Sequence, residues 1–311
     1  MSSLFLRDVV GNYMENLGAN DDKVLVINAD LMGTCRNKSF IDKFPNRSFN
    51  VGIAEQNLVS FSAGLAHEGF KPYVFTMAPF MSMRACEQIR TDIAYGNKNV
   101  KLIAIYAGLS GGISGPTHWA IEDCAIMCSI PNLIVIEPSD KKEAEALLNE
   151  SLKIDKPIYF RITTERTENI YTDKDKFQVG KASIPVKGDD GAIICSGVTV
   201  QFAIKASKII KKETGKSFRV VDMHTLKPID EEAIIEASKT NRIIVVQDHN
   251  IMGGLGSIVA TVIANKELNT KFNILGIPDT YGTIGHANYL YHKYGYDTDG
   301  IVKVALDMLS L

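Results

Sequence analysis

Short apolar runs alternate with longer stretches of helical spacing along nearly the whole chain. Residues 23–30 (Lys-Val-Leu-Val-Ile-Asn-Ala-Asp), 73–76, 100–106, 133–137 and 157–161 are rich in β-branched residues and have strand length. Between them, 4–17, 55–68, 81–94, 119–128 and 140–153 repeat apolar residues at i, i+3 and i+4, the spacing of one helix face. Strands this continuously apolar are buried on both faces, so the alternation predicts parallel sheets covered by helices on either side.

The rhythm breaks at 164–190, which is rich in Thr, Asp, Lys and Glu, and restarts with strand-like runs at 192–195, 218–222, 242–247 and 272–276. The 311 residues are about twice a typical domain of ~150. The expected fold is therefore α/β, two doubly wound domains of mostly parallel sheet flanked by helices: 1–170, a linker at 171–190, and 191–311.

Composition narrows the function classes. With 45% hydrophobic and 23% charged residues the chain has enough apolar surface to fold, which excludes a disordered or coiled-coil protein. Thirty-four basic against 36 acidic residues leave a net charge of −2, and the pairs Lys141-Lys142 and Lys211-Lys212 sit on solvated helix faces, so no nucleic-acid partner is expected. Apolar runs fall well short of the ~20 residues of a membrane span, and Arg7 and Asp8 come too early for a secretory segment. Five cysteines, an odd number lying in apolar strands and helices, fit core packing better than thiol or metal chemistry; Cys124 and Cys128 have no further ligand at metal spacing. A reduced, cytoplasmic compartment is the expectation, in which the Asn37 and Asn46 glycosylation patterns mean nothing.

Two glycine motifs fail their tests. Gly253-Gly254-Leu255-Gly256 follows a strand and opens a helix, but the third fingerprint position holds Val259 and no acidic residue follows at the ribose spacing. Gly215-Lys216-Ser217 resembles the end of a phosphate loop, with Ile210 where the first glycine belongs. The stretch Asn50-Val-Gly-Ile-Ala-Glu-Gln-Asn57 is more informative: it opens a helix of small residues and sets Glu55 in the first turn, where the helix dipole favours a carboxylate.

That stretch, followed by Ala63-Gly-Leu-Ala66, Lys71-Pro72, Phe80 with Arg84-Ala-Cys-Glu-Gln88, Gly115-Pro-Thr-His118, Ile121-Glu-Asp123, Ile130-Pro-Asn132 and Glu137-Pro-Ser-Asp140, resembles the pyrimidine-binding domain of transketolases and of 1-deoxyxylulose-5-phosphate synthase. Val221–Asp230, Asp248-His249 and Gly253–Ser257 are similar to the C-terminal domain of the same family. The resemblance spans essentially the whole chain. It implies thiamine-diphosphate-dependent transfer of a two-carbon unit from a ketose phosphate to an aldose. By position Glu55 inherits the glutamate that hydrogen-bonds N1′ of the aminopyrimidine. There a shared proton favours the 4′-imino form that deprotonates C2, an acid/base role of about 10² to 10⁴ in rate. Phe80 matches the aromatic that stacks on the pyrimidine, Arg84 lies in the same cofactor-binding stretch, and Asp30 matches an aspartate near the thiazolium. His118 matches a histidine beside the 4′-amino group and the sugar. Arg161 matches the family's phosphate arginine, whose planar fork suits phosphate oxygens; Arg7 and Thr34 match further phosphate contacts.

The family holds the diphosphate and Mg²⁺ with a Gly-Asp-Gly stretch and a later Asn. Gly188-Asp-Asp-Gly191 carries an extra residue and falls in the expected linker, so no metal ligands are expected here. The resemblance then implies a split enzyme, in which an N-terminal transketolase subunit supplies that site and two copies of each chain assemble. Two departures bear on the substrate. Tyr106-Ala107 stands where transketolases carry His-Asp or His-Ala, and Ser114 stands where Asp precedes Gly-Pro-Thr-His. Both positions meet sugar hydroxyls or phosphate in the family, so a sugar outside the ordinary pentose-phosphate set is expected. The alternatives are the beta subunit of a pyruvate-dehydrogenase-type complex and a non-catalytic stabilising subunit.

Overall fold

The computed structural model describes residues 4–309, so the outer domain limits at 1 and 311 lie outside the described residues. The first sheet has seven strands in the order Thr225–Lys227, Ile134–Ile136, Ile158–Ile162, Lys101–Ile105, Lys71–Met77, Val24–Asn28 and Ser48–Asn50. Its strands are parallel except Thr225–Lys227, which runs antiparallel to Ile134–Ile136. Side-chain alternation sorts the core onto two faces. Leu25, Ile27, Val74 and Leu102 pack beneath the helices that carry Leu58, Met81 and Ile89, whereas Val24, Val26, Tyr73 and Ile103 pack against Leu6, Val10, Met14, Phe40 and Leu147.

The second sheet runs Lys271–Ile277, Arg242–Asn250, Gly191–Cys195, Phe218–Asp222 and Ser183–Val186, the last strand antiparallel. Two features add detail to the expected domain plan. Part of the linker is strand: Ser183–Val186 closes the edge of the second sheet, and its partial exposure and Pro185 suit an edge position. In addition, Thr225–Lys227 crosses over to complete the first sheet, so the two halves interlock. Strand and helix register elsewhere follow the hydrophobic pattern closely, with helices at Leu6–Asn20, Glu55–His67 and Lys141–Ser151. The span expected to be helical at 119–128 is helical only over Asp123–Ser129, because Ala120 instead bridges to Gly108.

In parallel α/β sheets ligands bind beyond the carboxyl ends of the strands. Asp30 and Thr34 follow the strand ending at Asn28, Glu55 the one ending at Asn50, Phe80 the one ending at Met77, and Tyr106, Ser114 and His118 the one ending at Ile105. Parallel pairing brings these ends to one edge.

Candidate active site

Glu55 is the first residue of the helix Glu55–His67, reached through a turn in which Val51 N–H donates to Asn28 O (3.0 Å) and Gly52 takes a φ of +75°. Its side chain is only 3% exposed, and Oε2 accepts from Arg84 Nη1 at 2.8 Å. Arg84 is half exposed, so this carboxylate is buried behind a partner that itself reaches solvent. The same guanidinium lies 4.5 Å from the centroid of the Phe80 ring, and Phe80 meets the His118 imidazole edge-on at 5.4 Å. Carboxylate, guanidinium, phenyl and imidazole thus form a continuous array built from three separate segments.

Local geometry explains why Phe80 and Arg84 cooperate. Residues Phe80–Arg84 form a wide helical turn closed by Ala85 N–H to Phe80 O at 3.3 Å, five residues apart, and a second wide turn follows at Ile89–Ala94. Such turns are over-represented at functional sites because they re-aim side chains that a regular helix would stack. A cleft of about 400 Å³ opens beside them, lined by Pro79, Met83, Thr117, Trp119 and Tyr281 among others.

The loop between Ile105 and Trp119 carries the remaining central residues. Tyr106 has a φ of +65°, an unusual conformation for a bulky side chain and one found at strained functional positions, and its ring packs against Gly111. Ser114 is exposed in a short turn, with its N–H on Gly111 O at 2.8 Å. Gly115 follows at φ +81° and ψ 179°, a region open essentially to glycine alone, and it redirects the chain into Pro116–His118. His118 Nδ1 lies 2.9 Å from Thr117 Oγ1.

Asp30, at φ +59°, is held by Asn50: its N–H donates to Asn50 Oδ1 at 3.0 Å, and its own Oδ1 accepts from Asn50 Nδ2 at 2.9 Å. Asn50 Oδ1 also accepts from Gly52 N–H at 3.0 Å, which ties Asp30 to the turn before Glu55. Sequence reasoning assigned no role to Asn50, although it opens the stretch that was singled out. Arg7 and Thr34 sit on neighbouring helices, brought together where Gly11 leaves no room for a side chain against Cys35 O. Arg7 Nε pairs with Asp8 at 3.3 Å, and no contact joins Arg7 or Thr34 to the Glu55–His118 array among the described residues.

Arg161 does not fit a phosphate contact. Arg161 lies inside the strand Ile158–Ile162, which is buried along its whole length, and its side chain is fully buried. Its Nε donates to both oxygens of Asp123 (3.1 and 2.9 Å), Nη1 to Glu137, and Nη2 to Ala120 O and Asp248 O at 2.8 Å each. The charge is neutralised and the fork is filled by the protein itself.

A second buried acidic cluster lies between the halves. The Ser139 hydroxyl sits 2.9 Å from Glu143 Oε2 and 2.7 Å from Asp222 Oδ2, both carboxyls wholly buried. One hydroxyl proton serves only one of them, so the other contact requires a protonated carboxyl. Burial accordingly pushes Asp222 up to about 7 and raises Glu143 well above the usual carboxylate range, with Asp222 adding to the latter.

Residues 2–168 match the family model described as transketolase, pyrimidine binding domain, and residues 180–301 match that of the transketolase C-terminal domain. The chain belongs to the transketolase family. A putative transketolase C-terminal section from Methanocaldococcus jannaschii is 40% identical over 307 residues, covering 98% of this chain and 96% of its own length. A 6-deoxy-6-sulfo-D-fructose transketolase subunit from Clostridium sp. is 32% identical, covering 97% and 93%. Among solved structures, one described as a split gene transketolase, inactive beta4 tetramer, superimposes with a TM-score of 0.90 at 33% identity, covering 100% of this chain and 99% of that one. Membership supports a transferase-type enzyme, and the transketolase family depends on thiamine diphosphate. The site fits the aminopyrimidine end of that cofactor: a buried carboxylate stands beside a half-buried aromatic ring, and the exposed Arg84 side chain bridges the two. No helix among the described residues is long and apolar enough to cross a membrane.

Proposed function

We propose that this chain is the pyrimidine-binding subunit of a split, cytoplasmic transketolase, transferring a two-carbon unit from a ketose phosphate to an aldose. The observation that carries the reading is the Glu55 carboxylate, buried yet paired with half-exposed Arg84, beside the Phe80 ring. Bound thiamine diphosphate supplies the electron sink for carbon–carbon bond cleavage. Glu55 holds a proton at the pyrimidine N1′ position and so sets the tautomer; at a helix start its charge is favoured when the proton is away. Phe80 offers a rigid apolar face that excludes water, once Arg84 withdraws from it. His118, edge-on to Phe80 and half buried, reaches the sugar as a hydrogen-bonding and proton-transferring group. Asp30, held by Asn50, faces the thiazolium side.

The diphosphate and Mg²⁺ belong to an N-terminal subunit, a reading supported by relatives that match over nearly their full length and bear the names of a section, a subunit and a split-gene protein. A pair of each chain makes the assembly. Tyr106 and Ser114 point to a non-standard sugar, a reading that the sulfosugar relative supports. With Arg161 buried, Arg7 and Thr34 are the phosphate contacts that remain of those the resemblance implies.

Calorimetry of thiamine diphosphate and Mg²⁺ with the chain alone, then with the N-terminal subunit encoded beside it, tests the division of labour: binding is expected only in the mixture. Tight binding by the isolated chain overturns it. In the assembled enzyme Glu55→Ala should lower turnover by about 10² or more; unchanged turnover would establish a non-catalytic subunit instead.

A further inference from the structure

All candidate site residues come from the first half of the chain, yet the loop that presents three of them is fastened by the second half. Asp248, on the strand Arg242–Asn250, is 1% exposed. Its carboxylate accepts from Leu109 N–H with both oxygens at 3.1 Å, from Tyr296 Oη at 2.8 Å and from Tyr291 Oη at 3.2 Å. Gly108, at φ +57°, makes the approach possible, since a Cβ there would stand 2.1 Å from Asp248 Cγ. Gly108 and Ala120 close the loop on itself by exchanging hydrogen bonds at 3.1 Å, and the backbone just beyond is stitched to the same strand, with Asn250 N–H donating to Ile121 O at 2.9 Å.

We propose that Asp248 is a positioning residue that locks the 106–118 loop onto the second domain, holding Tyr106, Ser114 and His118 where the sugar meets them. This role rests on the transketolase reading above. Three donors converge on one group that must accept from all of them, a demand that only a carboxylate meets without a donor–donor clash. Burial pushes the acid up to about 7 against the pull of Arg161 and these donors. The cluster acts on loop position: Glu55, Phe80 and Arg84 stand on other segments, and of that array His118 alone is carried by the loop.

Two readouts test it. Trp119, at the end of the loop, is the single tryptophan and is 2% exposed, with Nε1 on Gly112 O at 3.4 Å, so its fluorescence reports loop seating without any assay of activity. Asp248→Asn keeps the shape but turns one acceptor into a donor. It should red-shift Trp119 emission and raise its acrylamide quenching at least about threefold with far-UV circular dichroism unchanged. In the assembled enzyme it should raise the sugar KM at least about tenfold while the Kd for thiamine diphosphate stays within about twofold. Tyr296→Phe, which removes one donor and leaves the Leu109 bond, serves if Asp248→Asn fails to fold, and should move both readouts in the same direction by less. Wild-type emission and wild-type kcat/KM in a folded variant overturn the proposal, as does an equal loss of cofactor and sugar binding, the mark of a merely structural residue. An inactive wild-type assembly counts against the functional reading alone, and the fluorescence then decides the loop clamp.

Discussion

Replacing Arg161 with methionine separates a structural arginine from a phosphate ligand. In the wild type the guanidinium donates to Asp123 and Glu137 and to two backbone oxygens, all in a fully buried setting. Without it Asp123 retains only the Tyr159 hydroxyl at 2.8 Å, and Glu137 retains Ser196 Oγ at 2.6 Å and Gln247 Nε2 at 2.8 Å. Two buried carboxylates then face each other with no countercharge, and breaking a buried pair in this way costs about 3–5 kcal/mol. At roughly 2 °C per kcal/mol for a chain of this size, the melting temperature should fall by about 6–10 °C. Arg161→Lys, which keeps the charge but not the fork, should lose about half as much. Scanning calorimetry of the isolated chain measures the loss, and sugar kinetics of the assembled enzyme well below the melting temperature complete the test. An unchanged melting temperature combined with a raised KM for phosphorylated sugars alone would refute the reasoning and restore the phosphate role.

Three further outcomes are expected. Tyr106→His combined with Ser114→Asp, measured as the ratio of kcat/KM between sugars, should move selectivity toward ordinary pentose phosphates by about tenfold or more; an unmoved ratio removes these positions from recognition. Asp222→Asn should become progressively more stabilising relative to wild type as pH rises from about 4 through 7. The folded acid titrates near 7, above its unfolded value, so the native state binds the extra proton and loses stability as pH rises through that window. Urea midpoints at pH 5 and 8 check it, and a pH-independent difference contradicts the shared-proton arrangement at Ser139. Gly11→Ala places a Cβ 2.2 Å from Cys35 O, backbone that has little room to yield, and should destabilise by about 1–3 kcal/mol in chemical denaturation. An effect below about 0.5 kcal/mol would mean that the N-terminal helix packs more loosely there.

The periodic signals were local and therefore readable. Each central strand and long helix follows from its own run of apolar residues, and Glu55 at its helix start follows from the small-residue stretch around it. The contiguity of Glu55, Arg84, Phe80 and His118 needed the resemblance as a guide, because their three segments meet only when parallel strands align their ends. Other properties depended on partners that no local window contains. Arg161 reads as a strand-end arginine, but it lies inside the strand and is paired with Asp123 and Glu137, and only packing reveals that its charge is spent. Ser183–Val186 is too short, and too interrupted by Pro185, to announce itself as a strand, yet the open edge beside Phe218–Asp222 supplies its hydrogen bonds. Asp248 meets Leu109 across 139 residues of sequence. The chain alone determined which segments become strands and helices, since burial of a periodic face is decided within each segment. Which polar groups stay available for chemistry was decided by tertiary structure, because a buried charge is satisfied by whatever donors and acceptors the fold brings to it.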